Sequence, residues 1–567
     1  MKGYSRKLKV IVQTLMIIAI IIVVNLISAE LYTYVDLTED KRFTLEDSTL
    51  DLLEDVDDIV TIDLLLEGNM TAGLSQLRER TLEIIKEFKS VNPNLEYKSI
   101  NPSKGTTEQK NQIRKNLSID GIYPQNLMIV ENDQRVEKLI YPYAIIKYGT
   151  VKVPVNLLEP MGRGESEEAA INRSFTLLEY KLVSSIEKLF RKKIPIIALT
   201  EGNGELLQEQ TAKLSTEIGR TSEVRYINLD SMYQIEKEID VLIIAGPKRK
   251  VSDKSQFKID QYLMNGGKII WLVDQFAVNL DSLNNNSIYV PRKYENGLES
   301  MLFKYGIRVN SDLVLDLENT RIPQVIGQQG GEAQTQLFNW VYHPLLQANQ
   351  ESPIVKNIDR VSSTFVSSID ILDNDKGITY TPLLTSSKYA RRQIYPMRLS
   401  FEILRVEQKV EAYNKSYLPV AVMLEGEFES FFKNRVTEEM KTGLDQIGSS
   451  FKEKSAATSQ VIISDSDIIK NLYDAKNNRI SPMGYNKWSE SIYKGNQDFI
   501  INVIDFLLDD YGLIDARNKS QKLRILNQVE IQENTTKWQV INVVMPVVIV
   551  ILFGLLYNYI RRRRYAS

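Results

Sequence analysis

Two long apolar runs sit near the ends of this 567-residue chain and confine almost everything else between them. The first is Val10 to Ile27, VIVQTLMIIAIIIVVNLI, and the second is Val540 to Tyr559, VINVVMPVVIVILFGLLYNY. Each is close to the roughly 20 apolar residues that a helix needs to cross a bilayer core. Lys2, Arg6, Lys7 and Lys9 precede the first run, and Arg561 to Arg564 follow the second. Basic residues are retained on the cytoplasmic side. The expectation is therefore a two-pass protein of the inner (cytoplasmic) membrane, with transmembrane helices at 10–27 and 540–559. Its tails, 1–9 and 560–567, would be cytoplasmic, and its body, about 28–537, periplasmic. A cleaved signal peptide is the alternative for the first run, with small residues at Ser28-Ala29. Its apolar stretch exceeds the roughly 7–15 residues usual for a signal, and the acidic segment Glu30 to Asp40 suits the outer side of an anchor. For the second run the alternative is a buried soluble helix, which would leave four adjacent arginines without a purpose.

Composition removes whole classes of chemistry. The chain has no cysteine and one histidine, His343. Disulfides, thiol nucleophiles, thiolate-bound zinc, iron–sulfur clusters and His-rich catalytic metal sites are excluded. Lys and Arg number 70 against 73 Asp and Glu. Setting aside the eight basic residues outside the two runs leaves a body with eleven more acids than bases. A nucleic-acid interface needs a basic face, so that class is disfavoured too.

Length predicts more than one domain in the body. Strand-like stretches at Val60 to Leu66, Asn94 to Ile100, Asn126 to Val130, Glu137 to Ile146 and Val151 to Leu157 are separated by helical spacing at Leu74 to Val91 and Glu108 to Leu117. This β-α-β-α-β-β order resembles a thioredoxin-like fold over 28–190, used structurally because no redox cysteine pair exists. Pro124 is placed where such folds carry a cis-proline. After a helix at Ser174 to Phe190, short apolar strands (Pro195 to Thr200, Val241 to Ala245, Lys268 to Val273) alternate with helices at Glu205 to Ile218 and Asp253 to Met264. That alternation predicts a doubly wound parallel sheet over 191–520. Within it, about 297–450 reads as an α+β insertion in which Gln324 to Gln336 is a polar loop. A juxtamembrane segment at 521–539 completes the expected α/β organisation.

Several long motifs carry a family resemblance. They are DLTEDKRFTL (Asp36 to Leu45), LLLEGN (Leu64 to Asn69), IDQYLMNGGKIIWLVD (Ile259 to Asp274), AVMLEGEFES (Ala421 to Ser430), VIISDSDIIKN (Val461 to Asn471), NVIDFLLDDYGLIDARNK (Asn502 to Lys519) and KLRILN (Lys522 to Asn527). In order and wording this chain resembles the GldG family of gliding-motility ABC-transporter auxiliary proteins. The resemblance implies a periplasmic subunit partnered by a GldF-like membrane permease and a GldA-like cytoplasmic ATPase. It also implies a sheet domain shared with a class of intraflagellar-transport proteins. The chain departs from the family at Gly202-Asn203-Gly204-Glu205, where Gly-His-Gly-Glu is frequent, and at Ser352-Pro353-Ile354, where His-Pro-Ile is frequent. His343 stands where an aromatic is commoner.

Candidate chemistry is sparse. The loop Glu201, Gly202, Asn203, Gly204, Glu205 lies between a strand and a helix at the carboxyl end of the expected parallel sheet, where open α/β folds bind ligands and helix starts favour anions. It lacks the third glycine of a dinucleotide loop and the Lys-Ser/Thr pair of a P-loop. The alternative is a tight turn with Glu205 in the first helical turn. Glu201, Glu205 and Asp274 are expected near one sheet edge, where paired carboxylates do acid–base work or simply cap and meet solvent. Asp465, Asp467 and Asp505 read either as a cation site or, for the first two, as caps; the spacing lacks an EF-hand's glycine and closing glutamate. His343 reads as a satisfied structural histidine. With no Walker motif and no nucleophile–base pair, the expectation is a non-enzymatic auxiliary subunit with no cofactor. The alternative is a periplasmic solute- or glycan-binding protein, or a hydrolase, using the 202–205 loop and Asp274.

Overall fold

A computed structural model describes residues 44–518, except 69, 132–133, 160–166, 192, 285–287, 330–331, 373–376, 440, 443–449 and 478, together with 535–565 and residues 12, 14–20 and 23. Two units separate: residues 43–519, and the terminal segments 1–42 and 520–567.

The 43–519 unit opens with helix α1 (Asp47–Glu54) and strand β1 (Val60–Leu64). Helix α2 (Ala72–Val91) starts where Thr71 accepts the Leu74 N–H, an N-cap that satisfies one orphan donor. Strand β2 (Leu95–Ser99) follows, then α3 (Thr107–Ile119), whose Thr106 and Gln109 form a reciprocal capping box. Next come β3 (Gln125–Glu131), β4 (Gln134–Ile140), β5 (Tyr143–Tyr148) and β6 (Val151–Asn156). The four-stranded sheet runs β2-β1-β5-β6, with β1 parallel to β2 and antiparallel to β5. The stretch expected as one strand over Glu137 to Ile146 is two, because β4 turns back on β3 as a separate hairpin before β5 enters the sheet. Pro124 is not cis; among the described residues the one cis peptide bond joins Tyr395 and Pro396. Helix α4 (Glu167–Phe190) buries Leu178, Leu182, Val183 and Ile186 against Ile62, Leu64, Ala144 and Ile146.

The second sheet grows from β7 (Ile196–Glu201), β8 (Glu223–Asn228), β9 (Ile239–Ala245) and β10 (Lys268–Leu272). Helices α5 (Gln208–Ile218) and α6 (Asp253–Met264) connect them. Further on come β11 (Asn319–Gln329), β12 (Glu332–Ala348), β13 (Thr379–Thr385), β14 (Pro419–Gly426) and β15 (Thr458–Ile463). Their order is β11-β12-β13-β14-β15-β10-β9-β7-β8. Only β15, β10, β9, β7 and β8 are mutually parallel. From β14 outward every pairing is antiparallel. The expected doubly wound parallel sheet is thus half of a mixed one. The stretch expected as an insertion supplies four of its strands, and the expected polar loop at Gln324 to Gln336 is instead the β11–β12 hairpin. Within β11, Val325 and Ile326 are exposed, so burial periodicity does not mark the strand; the two strands are held by backbone pairing.

The parallel strands are apolar on both faces because both are covered. Ile197, Leu199, Val241, Ile243, Ile270 and Leu272 face one core with helix α7 (Gly495–Leu507), which contributes Phe499, Ile500, Val503 and Ile504. Ala198, Leu242, Ile244, Ile269 and Trp271 face the other, with Ile259 and Leu263 of α6.

In the terminal unit, helix α8 (Thr535–Tyr565) contains a stretch, Asn542–Arg563, whose most apolar 18-residue window has a mean hydropathy of 2.4, long and apolar enough to cross a membrane. Its described side chains from Asn542 to Arg563 are exposed. Half of the first apolar run lies outside the described residues; residues 12, 14–20 and 23 within it are helical and exposed.

Candidate functional site

The parallel half of the second sheet changes winding direction beside β7, since β8 is added on one side and β9 on the other. Open α/β sheets bind ligands in the crevice outside the carboxyl ends at such a switch. Here that edge carries the loop after β7 and the loop after β9. Gly202 and Gly204 hold positive φ angles of 111° and 81°, which glycine adopts without the Cβ penalty. The turn they make is internally closed. The Glu205 carboxylate accepts the Asn203 N–H at 2.5 Å. The Lys248 and Arg249 N–H groups both donate to the Asn203 carbonyl, at 3.0 and 2.8 Å, and the Arg249 guanidinium donates to the Gly202 carbonyl at 2.7 Å. The Leu206 N–H is bonded to the Ala245 carbonyl. A protein carboxylate therefore already sits where a bound anion would meet the Asn203 N–H.

Helix α5 begins only at Gln208. Glu205 lies ahead of it rather than in its first turn, drawn back onto Asn203; Glu209 takes the first-turn position. Glu201 accepts from the Gln208 side chain at 3.2 Å. Asp274, two residues past β10, accepts from Ser466, backbone N–H at 2.7 Å and hydroxyl at 2.6 Å. The three expected carboxylates thus share one edge of the sheet, but each takes its own donors.

A denser constellation lies one strand further, past the end of β15. Asp465 accepts the Asp467 N–H and the Thr364 N–H, both at 2.8 Å, and so caps the short 3-10 turn Ser466–Ile469. Asp467 binds the Lys470 ammonium at 2.8 Å and accepts from the Thr364 hydroxyl. Burial alone would push the Asp467 carboxyl up; the Lys470 charge and the Thr364 hydroxyl overcome it and hold it below its ordinary value. Burial, with Asp467 nearby, pushes Asp274 up. Asp505 belongs elsewhere, paired with Lys188 at 2.6 Å. Among the described residues no three acidic or imidazole groups are arranged to hold a metal, which leaves Asp465 as a cap.

His343, on β12, closes this region. It is 3 % exposed, edge-on to Phe365 with ring centroids 4.9 Å apart, and stacked at 6.4 Å on Trp488. Burial pushes its pKa down to about 3, against the pull of Asp467. Its Nε2 has no hydrogen-bond partner among the described residues. It lines a cavity of about 230 Å³ with Thr364, Asp467, Lys470, Trp488 and Asn496. Sequence reasoning missed this grouping. The one usable signal was the lone histidine in an aromatic-rich stretch, Trp340-Val341-Tyr342-His343. A larger groove of about 1780 Å³ lies at the opposite, amino-terminal edge of the parallel strands, near Phe190, Tyr233, Phe257 and Lys268.

Residues 195–503 match the family described as ABC-type uncharacterized transport system, and residues 39–147 match a domain of unknown function, DUF7088. No curated protein matches the sequence. The solved structure titled mmIFT52 N-terminal domain aligns with 56% of this chain and 98% of its own, at 11% identity and a TM-score of 0.30.

Proposed function

The chain belongs to the ABC-type uncharacterized transport system family, and from that premise we propose that it is a non-enzymatic auxiliary subunit of an ABC transporter, anchored in the inner membrane with its body outside. The family match over 195–503 is the observation that carries this reading. The exposed apolar helix Asn542–Arg563 supports membrane attachment, and the basic flanks of both apolar runs support a two-pass topology with cytoplasmic termini. The chain has no Walker motif, so energy comes from a partner ATPase. The motif resemblance supports the finer assignment: a GldG-like role in gliding motility, beside a GldF-like permease and a GldA-like ATPase. Within the body we read 28–190 as a redox-inert, thioredoxin-like domain and 191–520 as the sheet domain. The closed hydrogen bonding of Glu201 to Glu205 favours a structural turn over a ligand loop there.

Co-purification tests the reading. The tagged full chain, extracted in mild detergent, should bring down a polytopic permease and an ATPase bearing Walker motifs. Recovery of the chain alone, under conditions that keep other ABC transporters intact, sinks it.

A further inference from the structure

We propose that the β11–β12 ribbon joins two copies of this chain, the outer edge of β12 from Ala333 to Asn339 pairing antiparallel with the same edge of a second copy. The base of the ribbon belongs to the body: Ile322, Trp340, Val341 and Tyr342 are buried with Leu313, Leu315 and Leu399. Beyond that base the ribbon stands in solvent. The side chains from Ala333 to Leu337, and Asn339, are exposed, as are Val325 and Ile326 on β11. β12 meets β13 only at Gln347 and Ala348, and a short strand, Val361–Ser362, only at Leu345 and Leu346. On that side no described strand pairs with Ala333 to Asn339. A two-stranded ribbon is marginal in water by itself, and an open edge is a template for another strand.

The two strands of the ribbon are unequal, and the inequality points to the occupant. β11 carries Arg321 and Pro323, and its register slips between Val325 and Gly327. A charge, a proline and a bulge are the devices that keep an edge from pairing. β12 has none of them from Ala333 to Asn339: the run AQTQLFN holds no charge, no proline and no glycine, and it follows β11 residue by residue from Gln334 to Thr335 and from Gln336 to Asn339. Two open edges would let copies add head to tail into a fibre. One open edge and one blocked edge leave a closed two-fold pair. The open stretch ends at its base, where Trp340 is fully buried and the Phe365 N–H donates to the Tyr342 carbonyl at 2.8 Å. A self-pairing that uses the whole stretch therefore centres on Gln336. It sets Gln336 against Gln336 of the second copy, Leu337 against Thr335, Phe338 against Gln334 and Asn339 against Ala333. No like charges stand opposite one another, so nothing in the strand opposes its own copy. None of this depends on the transporter assignment.

The chain has no cysteine, so one engineered thiol reports one contact. Full-length Gln336→Cys in isolated membranes is treated with a short bismaleimide, beside Leu207→Cys, whose site just ahead of α5 is 63 % exposed. Gln336→Cys should become a covalent dimer and Leu207→Cys should stay monomeric. A second arm uses charge. Thr335→Lys with Leu337→Lys sets lysines opposite one another across the two-fold, and Thr335→Glu with Leu337→Glu does the same with carboxylates. Within their own ribbon the two positions face Val325 and Pro323, and both are exposed, so the body keeps its fold. With two differently tagged copies expressed together, co-purification should fall about tenfold for lysine with lysine and for glutamate with glutamate. Lysine with glutamate should restore it. The proposal is overturned if Gln336→Cys gives no dimer, gives no more than Leu207→Cys, builds ladders beyond the dimer or joins a different protein. It is equally overturned if like charges leave co-purification unchanged, or if the mixed pair fails to recover it.

Discussion

Asp274 and Ser466, 192 residues apart in sequence, are joined by two hydrogen bonds: the Ser466 backbone N–H donates to Oδ1 at 2.7 Å and its hydroxyl donates to Oδ2 at 2.6 Å. The pair ties the loop after β10 to the turn after β15, the two strands at the centre of the mixed sheet. Gly246 is packed against it. A Cβ on Gly246 would stand 2.6 Å from the Ser466 Cβ, and its φ is 76°. Ser466→Ala removes one donor and leaves the backbone bond, so a loss of about 1–2 kcal/mol is expected. Gly246→Ala adds positive-φ strain and a clash with backbone-adjacent atoms, so it should cost more than Ser466→Ala. Chemical denaturation of both variants checks the order; equal or reversed losses contradict it.

Two of the family-resembling motifs turn out to be halves of one arrangement. Asp260, in the first, accepts the hydroxyl of Ser430, the last residue of the second, and the N–H of Phe431 just after it, each at 2.7 Å, and the Tyr305 hydroxyl at 2.8 Å. It is fully buried, and burial pushes its pKa up despite these donors. Asp260→Ala would leave several buried donors unpaired at once and should destabilise by roughly 3–5 kcal/mol. Asp260→Asn keeps an acceptor and the shape, and should cost clearly less. Melting temperatures that fall equally in the two variants would show that the hydrogen bonds are not what matters.

What the sequence disclosed follows from what it encodes locally. The helix Asp253–Met264 has the bounds that its spacing and the glycines at 266 and 267 imply, and the apolar runs of β7, β9 and β10 are legible because burial on both faces removes alternation. The antiparallel partners were not legible. β13 pairs with β12 and β14, and β14 with β15, across long intervening segments, and nothing in TYTPLLT or PVAVMLEG states which edge receives them. The site divides the same way. Glu201, Glu205 and Asp274 do reach one edge, as strand-end positions dictate. Their donors, Gln208, Asn203 and Ser466, come from tertiary geometry. His343 acquires its environment from Phe365, Asp467 and Trp488, all brought in by later segments, so its unpaired nitrogen was invisible in the chain.

Asp498, in the first turn of α7, provides a pH test. Burial, reinforced by the charge of Glu159, raises its pKa to about 6, while Lys181, Lys494 and Arg517 pull it down. An acid whose folded pKa is raised stabilises the fold below its unfolded value, near 4, and that stability is lost as pH rises through about 6. Asp498→Asn cannot ionise. Its melting temperature relative to wild type should therefore rise between pH 4 and pH 7 and level off above, by an amount worth up to roughly 3 kcal/mol. A difference that stays flat over that window, or that falls, refutes the assigned shift.

The terminal helix yields the last expectation. From Val543 to Ile560 its apolar side chains are exposed, Val550 and Phe553 each at 70 %. Water is a poor home for such a surface, since each buried apolar side chain is worth roughly 1.5–3 kcal/mol, and a lipid bilayer is the obvious medium for it. Pro546 lies inside the helix, and Asn542, Gly554 and Asn558 add polar and small positions of the kind that pack against neighbouring helices in lipid. If the chain is held by two anchors, deleting 536–567 alone should leave it in the carbonate-resistant membrane fraction, because the run at 10–27 still holds. Deleting 1–28 as well should release a soluble body. Release by the first deletion alone would show a single anchor. Retention after both would place the membrane contact in the body. Replacing Asn542, Gly554 and Asn558 with leucine keeps the length and apolarity of the helix, so membrane retention should be unchanged while recovery of the transporter partners falls. Full recovery with the leucine variant would reduce the helix to a tether.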